Sequence, residues 1–276
     1  MDLEINLVAT PFLRWAGGKK WFLNHLSNFL PKDFNDYYEP FLGGGAVFFK
    51  INDKKRKYFL SDLNPDLINA YDAVQNNVED VINELKNFTN EEEAYYHIRS
   101  KSFIDPSKKA AQFIYLNKTS FNGIYRVNQQ GVYNVPFGKK YNTDFINSKC
   151  LIAANHSLQD AVLKVQDFEE TLKEVKKGDL VFVDPPYTVA HENNGFIAYN
   201  QKWFSLEDQV RLSKRLKEIN DLGAYFIMTN AKHEAIREIY SILGQPHEVQ
   251  RRSVVGGKSA TRGMITEYIF TNIKKI

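Results

Sequence analysis

The chain of 276 residues holds a single cysteine, Cys150. A lone thiol excludes an intrachain disulfide framework and any zinc site built on a cysteine cluster. His25, His97, His156, His191, His233 and His247 are scattered, and no two have the helical spacing of a metal-ligand motif, so no metal is expected. No run of about 18 apolar residues is available to span a bilayer. Asp2, Glu4, Arg14, Lys19 and Lys20 interrupt the first stretch of chain, which does not read as a signal peptide. A G-x-x-x-x-G-K-[ST] phosphate loop is missing, which disfavours a nucleoside triphosphatase. Internal repeats and low-complexity linkers are missing as well. Charge of one sign is scarce: 36 Lys and Arg against 33 Asp and Glu leave a net +3. That balance is compatible with nucleic acid but far too weak to show it. These absences point to a cytoplasmic, metal-free protein.

What is present is ordinary in bulk and specific in places. Hydrophobic residues at 43% and charged residues at 25% are typical of a globular domain. The length suits one α/β domain with a sizeable insertion, or two small domains. Basic residues gather at Lys54 to Lys57, Lys139-Lys140 and Arg251-Arg252; taken alone, such clusters read more readily as solvated loop lysines and arginines than as a nucleic-acid surface.

The pattern of elements alternates. Tyr37 to Leu42 reads as a strand that enters a Gly43-Gly44-Gly45 turn, with a helix from Ala46. Tyr58 to Leu60 is a second strand, and Asn64-Pro65 is an N-cap and first-turn pair opening a helix through Ala73. From 76 to about 121 the pattern is helical, over Val78 to Phe88, Glu91 to Phe103 and Pro106 to Leu116. Val132 to Phe137, behind Asn128-Gln129-Gln130-Gly131, reads as a β-hairpin. Strands resume at Val162 to Val165, Leu180 to Val183, Tyr225 to Met228, His247 to Val254 and Thr266 to Phe270, with an amphipathic helix over Leu206 to Ile219. An α/β alternation interrupted by helices and a hairpin implies an insertion: 1–75 and 146–276 form the main domain, and 76–145 the inserted one.

Three islands carry chemistry. Glu39 to Gly45 lies at the carboxyl end of the first strand, where an open α/β sheet binds its ligand. Glycines there let a ligand approach the backbone, though taken alone they equally fit a plain tight turn; Asp62, after the second strand, lies where an acidic side chain can bind ribose hydroxyls. Asp184-Pro185-Pro186-Tyr187 follows the apolar strand Leu180 to Val183. Two prolines hold the chain extended and remove its donors. The Asp184 carboxylate and the Pro185 carbonyl remain as convergent acceptors, and Tyr187 offers a flat face. Two acceptors aimed at the two N–H groups of an exocyclic amine favour a more tetrahedral nitrogen and stabilise the charge that develops as it attacks. Such an aromatic face can hold a flipped base by stacking. Phe12 to Lys19, with Trp15 beside two glycines and Lys19, fits packing against a flat ligand and its carboxylate; it also fits an N-terminal segment lying on the core.

The islands, in this order, resemble the Dam and DpnII-type family of adenine-N6 DNA methyltransferases in its α-group arrangement, over nearly the whole chain. The resemblance implies a Rossmann-like methyltransferase sheet with an inserted helical and β-hairpin target-recognition domain, and S-adenosylmethionine as cofactor. Cofactor contacts are implied for Trp15, Lys19, Phe41, Gly43, Asp62, Asp167, Phe168 and Asp184, and catalytic roles for Asp184, Pro185 and Tyr187. Asn117 to Arg126 with Asn134 to Gly138 resembles the recognition hairpin. There Arg126 matches the arginine that reads guanine through O6 and N7, and Phe121 and Asn122 match positions that enter or brace the duplex. Lys118, Lys139, Lys140, Arg251 and Arg252 are then phosphate contacts. Lys118-Thr119-Ser120 lies where the family varies, which bears on the outer base contacts, and the Val255 to Gly263 segment is similar to a flexible family loop.

The expected activity is methyl transfer to a flipped adenine in duplex DNA, in GATC by resemblance, by a monomer that shares its site with a cognate restriction endonuclease or acts without one. His191 to Trp203, rich in aromatics, is expected to order over the flipped base. Two other readings compete: the same fold acting on RNA or a protein glutamine, and an inactive relative that binds DNA without modifying it. An asparagine in place of Asp184 would suit the glutamine enzymes, and the intact tetrapeptide opposes the inactive reading.

Overall fold

The computed structural model describes residues 8–53, 55–188, 204–252 and 263–274. His191 to Trp203 and nearly all of Val255 to Gly263 lie outside the described residues. In chain order the elements are β1 (Tyr37–Glu39), α1 (Ala46–Ile51), β2 (Tyr58–Asp62), α2 (Pro65–Asn76), α3 (Val78–Lys86), α4 (Glu92–Ser100) and α5 (Pro106–Thr119). There follow α6 (Ser148–Leu158), β3 (Ala161–Val165), α7 (Phe168–Leu172), β4 (Leu180–Val183), α8 (Leu206–Leu222), β5 (Tyr225–Ala231), α9 (Glu234–Ile239), β6 (His247–Arg252) and β7 (Met264–Thr271). The fold is α/β and Rossmann-like. Two compact units divide the chain: one of residues 1–23, 42–55 and 62–165, the other of 24–41, 56–61 and 166–276.

The second unit carries strands in the order β2-β1-β4-β5-β7-β6. β1 runs parallel to β2, with Tyr38 opposite Phe59, and to β4, with Tyr38 opposite Val181. β4 runs parallel to β5, and β7 is antiparallel to both β5 and β6. Every residue of β4 is buried, as expected of a central parallel strand covered on both faces. β1 ends at Glu39, three residues before the end of the apolar stretch, because Pro40 has no N–H for the ladder. α8 begins at a capping box, in which the Ser205 hydroxyl accepts from the Asp208 amide and the Asp208 carboxylate accepts from the Ser205 amide. It ends at Gly223, whose φ of 82° is the left-handed cap that glycine takes without strain. Leu212, Leu216 and Ile219 on this helix join Tyr38, Val181, Phe226 and Met228 in the core.

In the first unit, the Asn64 side chain caps α2 by accepting from the Asp66 and Leu67 amides at 3.0 and 3.2 Å, with Pro65 in the first turn. Asp105 caps α5 in the same way ahead of Pro106. The expected hairpin is split. Around the Asn128–Gly131 turn the Asn134 amide donates to the Arg126 carbonyl, and Val127 bridges Tyr133. Further along, the partner changes: the Phe121 amide donates to Pro136 and the Gly138 amide to Thr119, with Ser120 bridging Phe137. Pro136 has no donor, so no ladder continues past it, and the end of α5 takes over the pairing.

Candidate active site

Asp184 leaves the end of β4 with one carboxylate oxygen fixed. The Thr229 hydroxyl, from β5, donates to its Oδ1 at 2.8 Å. Pro185 is buried and Pro186 exposed, the consequence of an extended segment that alternates its faces. The Tyr187 hydroxyl donates to Glu267 Oε2 at 2.9 Å, and Arg251 Nε donates to the other oxygen, Oε1, at 2.7 Å. Burial, and the carboxylates of Glu267 and Asp184, push the Tyr187 phenol well above its ordinary pKa. Thr188, next in the chain, donates to the Phe204 carbonyl and accepts from Gln209 Nε2. Gln209 Oε1 in turn accepts from Asn230 Nδ2 and the Tyr240 hydroxyl, and all these side chains are buried. The tetrapeptide is therefore held at both ends by polar groups of the same unit.

Beside it lies an aromatic cluster. Phe41 stacks on Phe168 with ring centroids 5.5 Å apart, and Phe204 packs edge-on against Phe41 at 5.4 Å. The Arg211 guanidinium lies 4.9 Å from the Phe168 ring centre. Asp167 is the N-cap of α7, accepting from the Glu169 amide, and also pairs with Arg211 at 3.0 Å.

In the first unit, Gly43 sits under the indole of Trp15. At its φ of +47° a Cβ would come within 2.6 Å of Trp15 Cδ1, so only glycine fits. The Gly43 carbonyl accepts from the Tyr71 hydroxyl, and its amide donates to Asp62 Oδ2 at 3.1 Å. Asp62 Oδ1 accepts from the Asn64 amide. Burial raises the Asp62 carboxyl, and these backbone donors pull it back down. Lys19 is only 4% exposed, and its ammonium donates to the Gly17 carbonyl at 2.8 Å. Trp15 stacks on Tyr125 at 5.7 Å, and the Tyr125 hydroxyl donates to Asp66.

Of the residues expected to meet DNA, Lys118, Phe121 and Asn122 lie at or just past the end of α5. Phe121 is 52% exposed. Asn122 takes a left-handed φ of 56°, which asparagine tolerates, and presents its side chain to solvent. Arg126 is exposed, with Nε donating to Asn134 Oδ1 at 2.8 Å, which fixes the guanidinium fork. Lys118 is partly buried in the last turn of α5, and burial lowers its ammonium pKa. Lys139 is exposed at a left-handed φ of 53°. Lys140 and Arg252 are exposed as well, whereas Arg251 turns to Glu267.

Thr229, Glu267, Arg211 and Gln209 stand in no motif of the sequence, and Asn117 figures there only as the first residue of the segment that resembles the recognition hairpin. Asn117 is 1% exposed; it accepts from the Arg14 amide at 2.8 Å and donates to the Arg14 carbonyl at 2.7 Å, with a longer contact to the Gly123 carbonyl. It thus ties the Trp15 segment to the turn that carries Phe121 and Asn122. The available signal was a polar residue inside an apolar run: Thr229-Asn230 after Tyr225 to Met228, and Glu267 within Ile265 to Phe270.

An α/β sheet with a glycine turn after its first strand and an aspartate–proline–proline–tyrosine segment after β4 marks a methyltransferase. The model of the D12 class N6 adenine-specific DNA methyltransferase family matches residues 15–254, and the chain belongs to that family. It is 34% identical to the type II methyltransferase M1.LlaDCHI of Lactococcus lactis subsp. cremoris, covering 98% of this chain and 96% of that one. It is 36% identical to the type II methyltransferase M.MjaIII of Methanocaldococcus jannaschii, over 80% of this chain and 84% of that protein. Against a DNA adenine methylase of Haemophilus influenzae the identity is 33%, over 87% of this chain and 86% of the relative. The chain is thus an adenine-specific DNA methyltransferase. No helix among the described residues is long and apolar enough to cross a membrane.

Proposed function

We propose that the protein transfers a methyl group from S-adenosylmethionine to the N6 amine of an adenine flipped out of duplex DNA, within GATC. The observation that carries the reading is the tetrapeptide, with the Asp184 carboxylate fixed at the end of β4 and Tyr187 fixed three residues on. When bound, S-adenosylmethionine supplies a methyl on an electron-poor sulfonium, so no covalent enzyme intermediate is needed.

The residues present fit that cofactor. Asp62, held by two backbone amides, suits ribose hydroxyls, and the buried Lys19 ammonium suits the carboxylate of the methionyl part. Trp15 and the Gly43 turn make an apolar floor. Phe41, Phe168 and Asp167 suit the adenine ring and its amine. Asp184 and the Pro185 carbonyl accept the two N–H groups of the target amine, while Tyr187 stacks on the target base. Positioning and electrostatics supply most of the rate.

Residues 76–145 serve as the target-recognition insert, and 1–75 with 146–276 as the catalytic domain. Arg126, oriented by Asn134, reads a guanine. Phe121 and Asn122 enter or brace the duplex, and Lys118, Lys139, Lys140 and Arg252 meet phosphates. The enzyme acts as a monomer in the cytoplasm, and the names of the type II relatives support a restriction endonuclease acting on the same site.

The test is transfer of a labelled methyl from S-adenosylmethionine to two duplexes that differ only in the GATC adenine. Label on the GATC duplex alone, recovered as N6-methyladenine, supports the reading. Equal labelling of both discards the site, and label on RNA but on neither duplex discards the substrate.

A further inference from the structure

Glu267 lies in β7 with 0% of its surface exposed. Burying a carboxylate is costly unless it is paired. Even paired, it adds little over an apolar residue of the same volume. Stability therefore does not account for it. Its two oxygens have separate partners: Arg251 Nε on Oε1 at 2.7 Å, from the neighbouring strand β6, and the Tyr187 hydroxyl on Oε2 at 2.9 Å. The guanidinium offsets the charge and holds the carboxylate still, and the carboxylate holds the far end of the tyrosine ring.

The tyrosine hydroxyl lies on the long axis of the ring, so pinning it fixes the direction of that axis and the place the ring occupies, and the preference of a phenol O–H for the ring plane biases the tilt as well. Phenylalanine would present the same apolar face without that restraint. Burial and the two nearby carboxylates keep the phenol protonated, so it remains a donor at neutral pH. At the other end of the tetrapeptide the Thr229 hydroxyl restrains Asp184 in the same manner.

We infer that Glu267, clamped by Arg251, is a positioning residue that holds in place the Tyr187 ring against which the extrahelical base stacks. The inference rests on the proposed stacking role of Tyr187. It assigns the tyrosine hydroxyl a mechanical duty rather than a chemical one. It also gives Arg251 a duty besides the phosphate contact expected of it, since its Nε is held by Glu267.

The experiment compares wild type with Tyr187→Ala, Tyr187→Phe, Glu267→Gln and the double variant Tyr187→Phe/Glu267→Gln in the full chain. Steady-state methyl transfer is read alongside the fluorescence of 2-aminopurine at the target position, with sinefungin as the unreactive cofactor analogue. Tyr187→Phe and Glu267→Gln should each lower kcat by about ten-fold, the scale of one charge-assisted hydrogen bond, and leave KM for the duplex near wild type. Both should alter the 2-aminopurine signal in the same direction. The double variant should be no slower than the slower single one, because both changes act on ring placement through the same contact between Tyr187 and Glu267.

If Tyr187→Ala is slow but Tyr187→Phe has wild-type kcat and fluorescence, the ring matters, the tether does not, and the inference is overturned. Multiplying losses in the double variant would overturn it too, by giving Glu267 a separate role. Full activity of Tyr187→Ala would instead bring down the stacking role itself. Should Glu267→Gln fail to fold, Tyr187→Phe decides the matter, because it leaves the ion pair of Glu267 and Arg251 in place.

Discussion

At the scale of single residues, this protein places charged groups where burial alters them. Lys118 lies in the last turn of α5, just before Phe121 and Asn122, and burial depresses its pKa, with Cys150 and Asp144 opposing the effect and Arg14 and Lys20 adding to it. The group carries its charge below that depressed value and loses it as pH rises through it. An ordinary lysine discharges near pH 10.4, so a phosphate contact from Lys118 should fail at lower pH. Duplex affinity measured across alkaline pH should fall early in wild type and hold longer in Lys118→Arg, whose guanidinium stays charged. Identical alkaline limbs in the two proteins would remove Lys118 from the phosphate set. Glycine is selected by space as much as by φ: Gly43 admits the Trp15 indole, and a Cβ at Gly123 would come within 2.6 Å of Arg14 Cδ.

At the scale of elements, the cap of α2 separates folding from ligand binding. Asn64 uses its side chain on the Asp66 and Leu67 amides, and its own amide on Asp62. Asn64→Ala removes the cap and keeps the backbone donor. It should cost about 1 kcal/mol in chemical denaturation, while cofactor affinity by calorimetry stays within about two-fold, a change of under half a kcal/mol. A large loss of cofactor affinity at unchanged stability would mean that the side chain, not the backbone, orients Asp62.

Elements were also where the sequence was most and least legible. α2 announces itself through Asn64-Pro65, α3, α5 and α8 through helical spacing, and β4 through a short apolar run before prolines. α6, α7 and α9 were not read. α6 buries small residues, Ala153 and Ala154, that give little periodic signal, and α7 and α9 are too short for any period to establish itself. The hairpin was legible as a turn but not in its pairing, since the chain contacts that replace a ladder after Pro136 come from Thr119 to Phe121. The motif residues of the site were readable because their chemistry restricts their type. Their supports, Thr229, Glu267 and Asn117, were not, because a polar residue in an apolar run names no partner until the fold supplies one.

At the scale of the whole molecule, a net charge of +3 gives little general attraction for DNA, so binding depends on a few local cations. If Lys118, Lys139, Lys140 and Arg252 make the four proposed phosphate contacts, log Kd should rise about three to four units per tenfold increase in salt. Replacing Lys139 and Lys140 together with alanine should reduce that slope by about two, uniformly across sequences. An unchanged slope would place the backbone contacts elsewhere.

The central claim is that the carboxylate at the end of β4 acts on the target amine. The measurement is single-turnover methyl transfer to a GATC duplex by wild type and by Asp184→Ala, at saturating duplex and S-adenosylmethionine. The account predicts that the variant still binds the duplex but transfers methyl at least about a hundred-fold more slowly, the scale of one lost transition-state contact. A variant that transfers at more than about a tenth of the wild-type rate, a difference under 1.4 kcal/mol, would contradict it.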